Sequence, residues 1–342
     1  MARRRFLAFD LGAESGRAVV GTLEGGRLAL DEIHRFPNEP VELCGTLHWD
    51  VLSLFRNVLA GMRAYVERFG DSVDGIGIDT WGVDFGLLAA DGALLQNPVH
   101  YRDRRTDGML EELQRRIAPQ ELYEKTGLPQ SPVHTVCQLL SMRRKRSPIL
   151  ESAATLLMMP DLFAYFLTGE KRCERTEAVS SQLYDPRSGE WHKGVFEALD
   201  LPLSIMPELV DPGTVLGELS QSVKRETGLK EAPVIAACTH DTAAAVAAVP
   251  GRGDGWAFLS SGTWSVPGAL TAEVVTSEGA LAAGMLNELT LGSTFLCRNI
   301  LGLWLLQQAR AVVGVRPAHL DAPMKALIED FADPGKAFIS LL

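Results

Sequence analysis

The sequence predicts an α/β protein of two domains, and three observations carry that expectation. Strand-length apolar runs alternate with one long helical run through about the first 80 residues, an order expected of an α/β sheet rather than a sandwich or a bundle. A short apolar run, a polar Gly-containing bend and a second apolar run occur at Phe6–Val20 and again at Trp256–Val266. The chain has 342 residues, 46% hydrophobic and 22% charged, an ordinary globular balance but more than one typical core holds.

Phe6–Val20 (FLAFDLGAESGRAVV) reads as two strands joined by a turn. Gly12 and Gly16 let the backbone bend tightly, and successive N–H groups with the Ser15 hydroxyl suit phosphate oxygens. Asp10, at the end of the first strand, is placed to sit near a Mg²⁺, which binds through one or two carboxylates plus substrate phosphates. The same residues also make an ordinary hairpin with a polar turn.

Arg27–Phe36 reads as a third strand across the turn Glu24-Gly25-Gly26. Trp49–Phe69 places Val51, Leu54, Phe55, Val58, Leu59, Met62 and Val66 at helical spacing, with Asp50 available as a cap. Val73–Asp79 returns to strand, and a helical middle is expected over Asp107–Gly169. Pro233–Cys238 reads as a strand and Ala243–Val249 as the helix after it. Pro250–Gly255 (PGRGDG) marks the expected boundary between domains at 1–249 and 250–342. Beyond it, Trp256–Leu259, the bend Ser260-Ser261-Gly262-Thr263 and the return Trp264–Val266 repeat the first hairpin. Two related domains facing each other across a cleft would grip one nucleotide from both sides.

Charge and cysteine usage exclude several classes. A net charge of −10 argues against a nucleic-acid partner, which would need a basic stripe. The cluster Arg143–Arg146 follows a helical pattern and reads as a solvated helix end. Five cysteines (Cys44, Cys137, Cys173, Cys238 and Cys297) form no C-x-x-C pair, which fits a reducing cytoplasm better than disulfides or zinc. Asp10 interrupts the apolar stretch after the basic start, so no secretory leader is expected, and no run is long enough for a membrane helix.

Three polar segments carry candidate chemistry. Thr239-His240-Asp241-Thr242 lies where a strand gives way to a helix, the edge at which α/β sheets collect ligands. A carboxylate there can take a hydroxyl proton while that oxygen attacks a γ-phosphate; Asp241 is equally a good N-cap, and His240 a plain half-buried histidine. In Asp79–Asp84 (DTWGVD), Trp81 offers a face to a sugar and Gly82 a close backbone approach, or the pair is simply core and turn. Tyr101–Thr106 is either a polyol-binding loop or a surface ion-pair cluster.

Taken together, several segments resemble the FGGY carbohydrate kinases. They are DLGAESGR (10–17), GIDTWGVDF (77–85), YRD (101–103), MPD (159–161), LTG (167–169), HDT (240–242), SSGTWS (260–265) and NILGLWLLQ (299–307), the last like that family's rhamnulokinase branch. The resemblance covers essentially the whole chain and implies an actin-like, ribonuclease-H-like duplicated fold. It implies ATP-dependent phosphorylation of L-rhamnulose at its 1-hydroxyl, in rhamnose catabolism and with Mg²⁺. By motif, Asp241 would be the catalytic base, and Gly82, His240, Asp241, Thr242 and Asn299 would hold the sugar. Ala13, Glu14, Ser15, Gly16, Arg17, Thr263 and Gln307 would contact ATP, and Asp10 the metal.

The chain also departs from that family. Full-length members carry a second domain about as large as the first, with a Gly-rich adenine-binding segment. After Gly302 only Gly314 and Gly335 occur, with no Gly-Gly pair, so that segment is expected to be missing and the second domain incomplete. Asn287-Glu288-Leu289-Thr290 stands where the family usually has Gly-Gly after Asn-Glu. The final run Ala337–Leu342 is apolar, uncharged and free of Pro, a predicted aggregation site if exposed. The alternatives are a degenerate or fragmentary sugar-binding protein without productive ATP binding, or a kinase for a related ketose such as L-fuculose. Nothing in the sequence fixes an oligomeric state.

Overall fold

The structure, a computed structural model, describes residues 2–251, 255–261 and 264–302, and the backbone of 337–341. Its first sheet has the order Thr214–Glu218, Pro233–Ala236, Gly75–Thr80, Arg4–Leu11, Ser15–Glu24, Arg27–Pro37. Alternation sets the faces: Leu7, Phe9 and Leu11 of the lead strand are fully buried. The lead strand runs antiparallel to Ser15–Glu24 and parallel to Gly75–Thr80. The turn to Arg27–Pro37 has φ of 57° at Gly25 and 77° at Gly26, and positive φ at both central residues is what a type I′ hairpin needs.

The helix Val51–Phe69 covers this sheet and buries Leu54, Val58, Met62 and Tyr65 at helical spacing. Asp50 caps it, its carboxylate accepting from the Ser53 N–H at 3.0 Å. Trp49, read from the sequence as the start of this helix, lies outside it and is fully buried. The expected helical middle contains Met109–Arg116, Pro119–Thr126, Thr135–Arg144 and Met159–Thr168, but it also contains a strand, Thr155–Met158, paired with Phe85–Leu88. A four-residue apolar run beside a helix has no period of its own to reveal it. These elements enclose a second core around Leu113, Val136, Leu140, Leu183 and Phe196. Arg143–Arg146 end their helix exposed.

The second sheet has the order Leu286–Thr290, Ser293–Cys297, Trp264–Thr271, Ala257–Ser261, Ala337–Leu341. It repeats the first. In each, a leading strand is antiparallel to the next strand, which is antiparallel to a third, while a later strand lies parallel along the leading strand's other side. Ala337–Leu341 thus occupies the place that Gly75–Thr80 holds in the first sheet, and the terminal apolar run is engaged by backbone pairing along one edge. Asn287–Thr290 lies within a strand rather than a turn. Among the described residues no helix is long and apolar enough to cross a membrane, and all five cysteines are unpaired.

Candidate active site

Parallel pairing brings three strand ends to one edge of the first sheet. Asp10 is the register partner of Asp79, and the Thr80 N–H donates to the Thr239 carbonyl at 2.9 Å. Asp10, Asp79 and the His240–Asp241 pair therefore face the same space, the carboxyl edge of the sheet. Arg17, register partner of Asp10 across the hairpin, donates to the Asp10 Oδ2 from Nη2 at 2.6 Å and from Nε at 2.8 Å. Burial, and then the charges of Asp10 and Asp241, hold the Asp79 carboxyl well above the usual carboxylate range.

The bend of the first hairpin is held by its own backbone and by Asn38. The Gly12 N–H donates to the Ser15 carbonyl at 2.9 Å, and the Asn38 side chain and N–H donate to the Gly12 and Glu14 carbonyls, each at 2.9 Å. Gly16 serves packing: a Cβ there would lie 2.3 Å from the Phe36 ring.

Asp241 is the first residue of the helix Asp241–Ala247, one position inside the expected cap, and its carboxylate accepts from its neighbour, the Thr242 N–H, at 2.5 Å and from the Thr242 hydroxyl at 3.2 Å. Behind it, the buried Glu174 accepts from the Thr239 N–H at 3.0 Å and its hydroxyl at 2.9 Å, fixing the turn into the helix. His240 Nε2 lies 3.4 Å from Asp241 Oδ1, and its Nδ1 lies 3.4 Å from Glu288 Oε2 on the second sheet. Burial works against the imidazolium, but Glu288, Asp241 and Glu177 outweigh it and push the His240 pKa up to about 10. Burial likewise raises the Asp241 carboxyl, opposed by the His240 charge.

Beside this pair, the segment Thr80–Phe85 is locked from below. The buried Asp84 accepts from the Trp49 indole at 2.6 Å, the Trp81 indole at 3.1 Å, the Tyr101 N–H at 3.1 Å and the Gln138 amide at 2.9 Å. Burial raises its pKa to about 6 against those hydrogen bonds. The face of Trp81 packs on Trp49 with centroids 4.0 Å apart, so the residue is core with one edge toward the cavity. Val83 has φ of 73°, an outlier for a β-branched residue. It is held there by its N–H to the Ser180 hydroxyl at 2.9 Å and by the Thr135 hydroxyl on its carbonyl at 2.7 Å. Gly82 needs its missing Cβ, which would lie 3.0 Å from Ser180 and 3.1 Å from His240 Nε2.

These parts line one cavity of about 550 Å³ between the two sheets. Of the residues singled out from the sequence, Asp10, Ala13, Glu14, Ser15, Arg17, Gly82, His240, Asp241, Thr242 and Asn299 line it. Gly16 does not, and Thr263 and Gln307 lie outside the described residues.

Residues 5–248 match the N-terminal domain of the FGGY family of carbohydrate kinases. The chain belongs to that family. It is 42% identical to a rhamnulokinase of Bacteroides thetaiotaomicron, covering 99% of this chain and 69% of that protein. It is 37% identical to one of Enterococcus faecalis, covering 90% of this chain and 62% of that protein. The chain thus spans roughly two thirds of the length of these curated relatives. In fold it resembles a xyloylose kinase of Brucella ovis (TM-score 0.79, 20% identity, 94% of this chain and 66% of that one). A Plasmodium falciparum glycerol kinase with ADP is similar in the same way (TM-score 0.76, 16% identity, 94% of this chain and 66% of that one).

Within this FGGY chain, sequence reasoning missed four contributors to the cavity region: Asn38, His134, Ser180 and Glu288. His134 Nδ1 lies 2.9 Å from the Ser180 carbonyl, and both residues reach the cavity from elements with no polar motif. The Tyr101–Thr106 loop splits between the two readings. Tyr101 lines the cavity, Asp103 caps its own turn at 2.8 Å from the Arg105 N–H, and Arg104 with Asp107 forms an exposed pair.

Proposed function

We propose that this chain forms the sugar site and phosphate-facing hairpins of a kinase that phosphorylates L-rhamnulose at its 1-hydroxyl from ATP. The observation that carries the reading is the Asp241 carboxylate at a strand end, in one cavity with Gly82, His240 and Asn299 on the sugar side and Ala13–Ser15 on the other. The similarity to rhamnulokinases supports the choice of ketose. The division into domains at 249/250 belongs to the same proposal, as does a reducing cytoplasm, which the unpaired cysteines suit.

In this mechanism the sugar hydroxyl donates its hydrogen bond to Asp241 and loses its proton to it as its oxygen attacks the γ-phosphorus, while the bond from that phosphorus to the β,γ-bridging oxygen breaks and ADP leaves with the bonding pair. A raised carboxyl pKa makes Asp241 a better proton acceptor near neutral pH while the neighbouring His240 cation keeps it ionised. Gly82, His240, Thr242 and Asn299 orient the ketose, and the bend Ala13–Arg17 faces the phosphates, most of the work being positioning and charge neutralisation. Thr263 and Gln307 complete the ATP contacts in this reading. Among the described residues no cluster of three His, Cys, Asp or Glu side chains is arranged to hold a metal by itself; in this reading Asp10 would hold Mg²⁺ together with phosphate oxygens, and the ion would supply charge neutralisation on the transferring group.

A coupled assay of ATP consumption tests this. ADP formation that depends on L-rhamnulose is the expected result. A rate that L-rhamnulose does not raise above the ATP-only background would overturn it.

A further inference from the structure

Five non-glycine residues sit at positive φ among the described residues, and Val83, at 73°, is the β-branched one. Such a conformation is costly and persists only where its surroundings impose it. At Val83 a closed ring of hydrogen bonds imposes it. The Val83 N–H donates to the Ser180 hydroxyl at 2.9 Å, and its carbonyl accepts from the Thr135 hydroxyl at 2.7 Å and the Gln138 amide at 3.2 Å. Ser180 comes from the short turn Val179–Ser181, and Thr135 opens the helix Thr135–Arg144. These two elements are tied to each other, because His134 Nδ1, just before that helix, donates to the Ser180 carbonyl at 2.9 Å. Thr135, Gln138, Ser180 and His134 are all buried.

The neighbour that this ring serves is Gly82. It lines the cavity, and neither its N–H nor its carbonyl has a hydrogen-bond partner among the described residues, so both are open to a ligand. The Gly82 carbonyl and the Val83 N–H belong to one planar peptide and point opposite ways. Whatever holds that N–H therefore sets the direction of that carbonyl. We propose that Ser180 is a positioning residue: by holding the Val83 N–H it keeps Val83 left-handed and aims the Gly82 carbonyl as an acceptor for a hydroxyl of the bound sugar. Glycine at position 82 belongs to the same device, since a Cβ there would lie 3.0 Å from Ser180.

The inference rests on the reading of the cavity as a sugar site, but the backbone device is read without any ligand. In a crystal structure of ligand-free Ser180→Ala, Val83 should leave the left-handed region. With Val83→Gly added, residue 83 should stay in it, because glycine meets no steric penalty there. Calorimetry with L-rhamnulose reads the consequence. Ser180→Ala should weaken binding about tenfold, whereas the same change made on a Val83→Gly background should weaken it less than about threefold. Val83→Ala trims the side chain but keeps a Cβ at positive φ, so on that background the loss should stay about tenfold. In turnover, Ser180→Ala should raise the KM for the sugar and leave the KM for ATP where it was, a split that general loosening would not give. A Val83 that keeps its φ in Ser180→Ala would overturn the proposal. So would equal losses on the Val83 and Val83→Gly backgrounds, the mark of a Ser180 that binds the sugar itself. If wild type binds no L-rhamnulose, the ketose reading fails, and the ligand-free structures decide the proposal by themselves.

Discussion

Two aspartates, Asp84 fully buried and Asp241 half-buried at the edge of the cavity, face opposite fates. Asp84 is met by two indoles, a backbone N–H and an amide, all neutral donors and all within 3.1 Å. Asp241 is met by its own neighbour Thr242 and, at 3.4 Å, by a charged ring. Both oxygens of Asp84 accept hydrogen bonds and the residue does not reach the cavity, whereas Asp241 opens on it. The difference separates scaffold from chemistry: a satisfied carboxylate fixes the shape of a site, and an under-satisfied one at its edge is free to accept a proton.

The largest expected effect is on turnover. Asp241→Asn should lower kcat by about a hundred- to ten-thousandfold, the usual worth of a positioned base, as read in the coupled assay. Next comes stability at the other aspartate. Asp84→Ala strands the donors of Trp49, Trp81, Tyr101 and Gln138 and should cost about 4 kcal/mol or more in denaturant unfolding. If Asp84→Ala were instead stable but inactive, the division between the two aspartates would fail.

The same contrast has a pH signature. The Asp84 pKa is raised in the fold from 3.8 to about 6, so the folded state favours its protonated form. Its contribution is present in full below the unfolded value and is lost as pH rises to about 6. The stability difference between wild type and Asp84→Ala should therefore shrink across that window and flatten above it.

A smaller effect is expected at Gly82. The added Cβ of Gly82→Ala would press on Ser180 and His240 at 3.0 and 3.1 Å, raising the sugar KM about tenfold with less change in kcat. Least of all, Arg143→Ala breaks an ion pair with Asp200 whose side chains are 43% and 70% exposed, and should shift stability by under about 0.5 kcal/mol.

Much of this site was legible in the sequence because it is local. The hairpin at Phe6–Val20, the helix capped by Asp50 and the step from strand to helix at Thr239–Asp241 each announce themselves through period or turn chemistry. What depends on distant pairing was not. Trp49 looks like a helix start, and only the fold shows its indole on Asp84. Asn287-Glu288 stands out in the sequence only for the glycines that do not follow it, and pairing with Ser293–Cys297 in the second sheet is what leaves Glu288 Oε2 3.4 Å from His240 Nδ1. Gly16 was read as clearance for a ligand, while its neighbour is Phe36. Asn38 closes the phosphate-type bend from beyond the next strand, a contact that no local pattern encodes.

The most direct test pairs two measurements on one variant: L-rhamnulose binding by calorimetry, and ATP turnover with the same sugar. The account predicts that Asp241→Asn binds the sugar within about tenfold of wild type and turns over at least about a hundredfold more slowly. Near-normal turnover in that variant would contradict it.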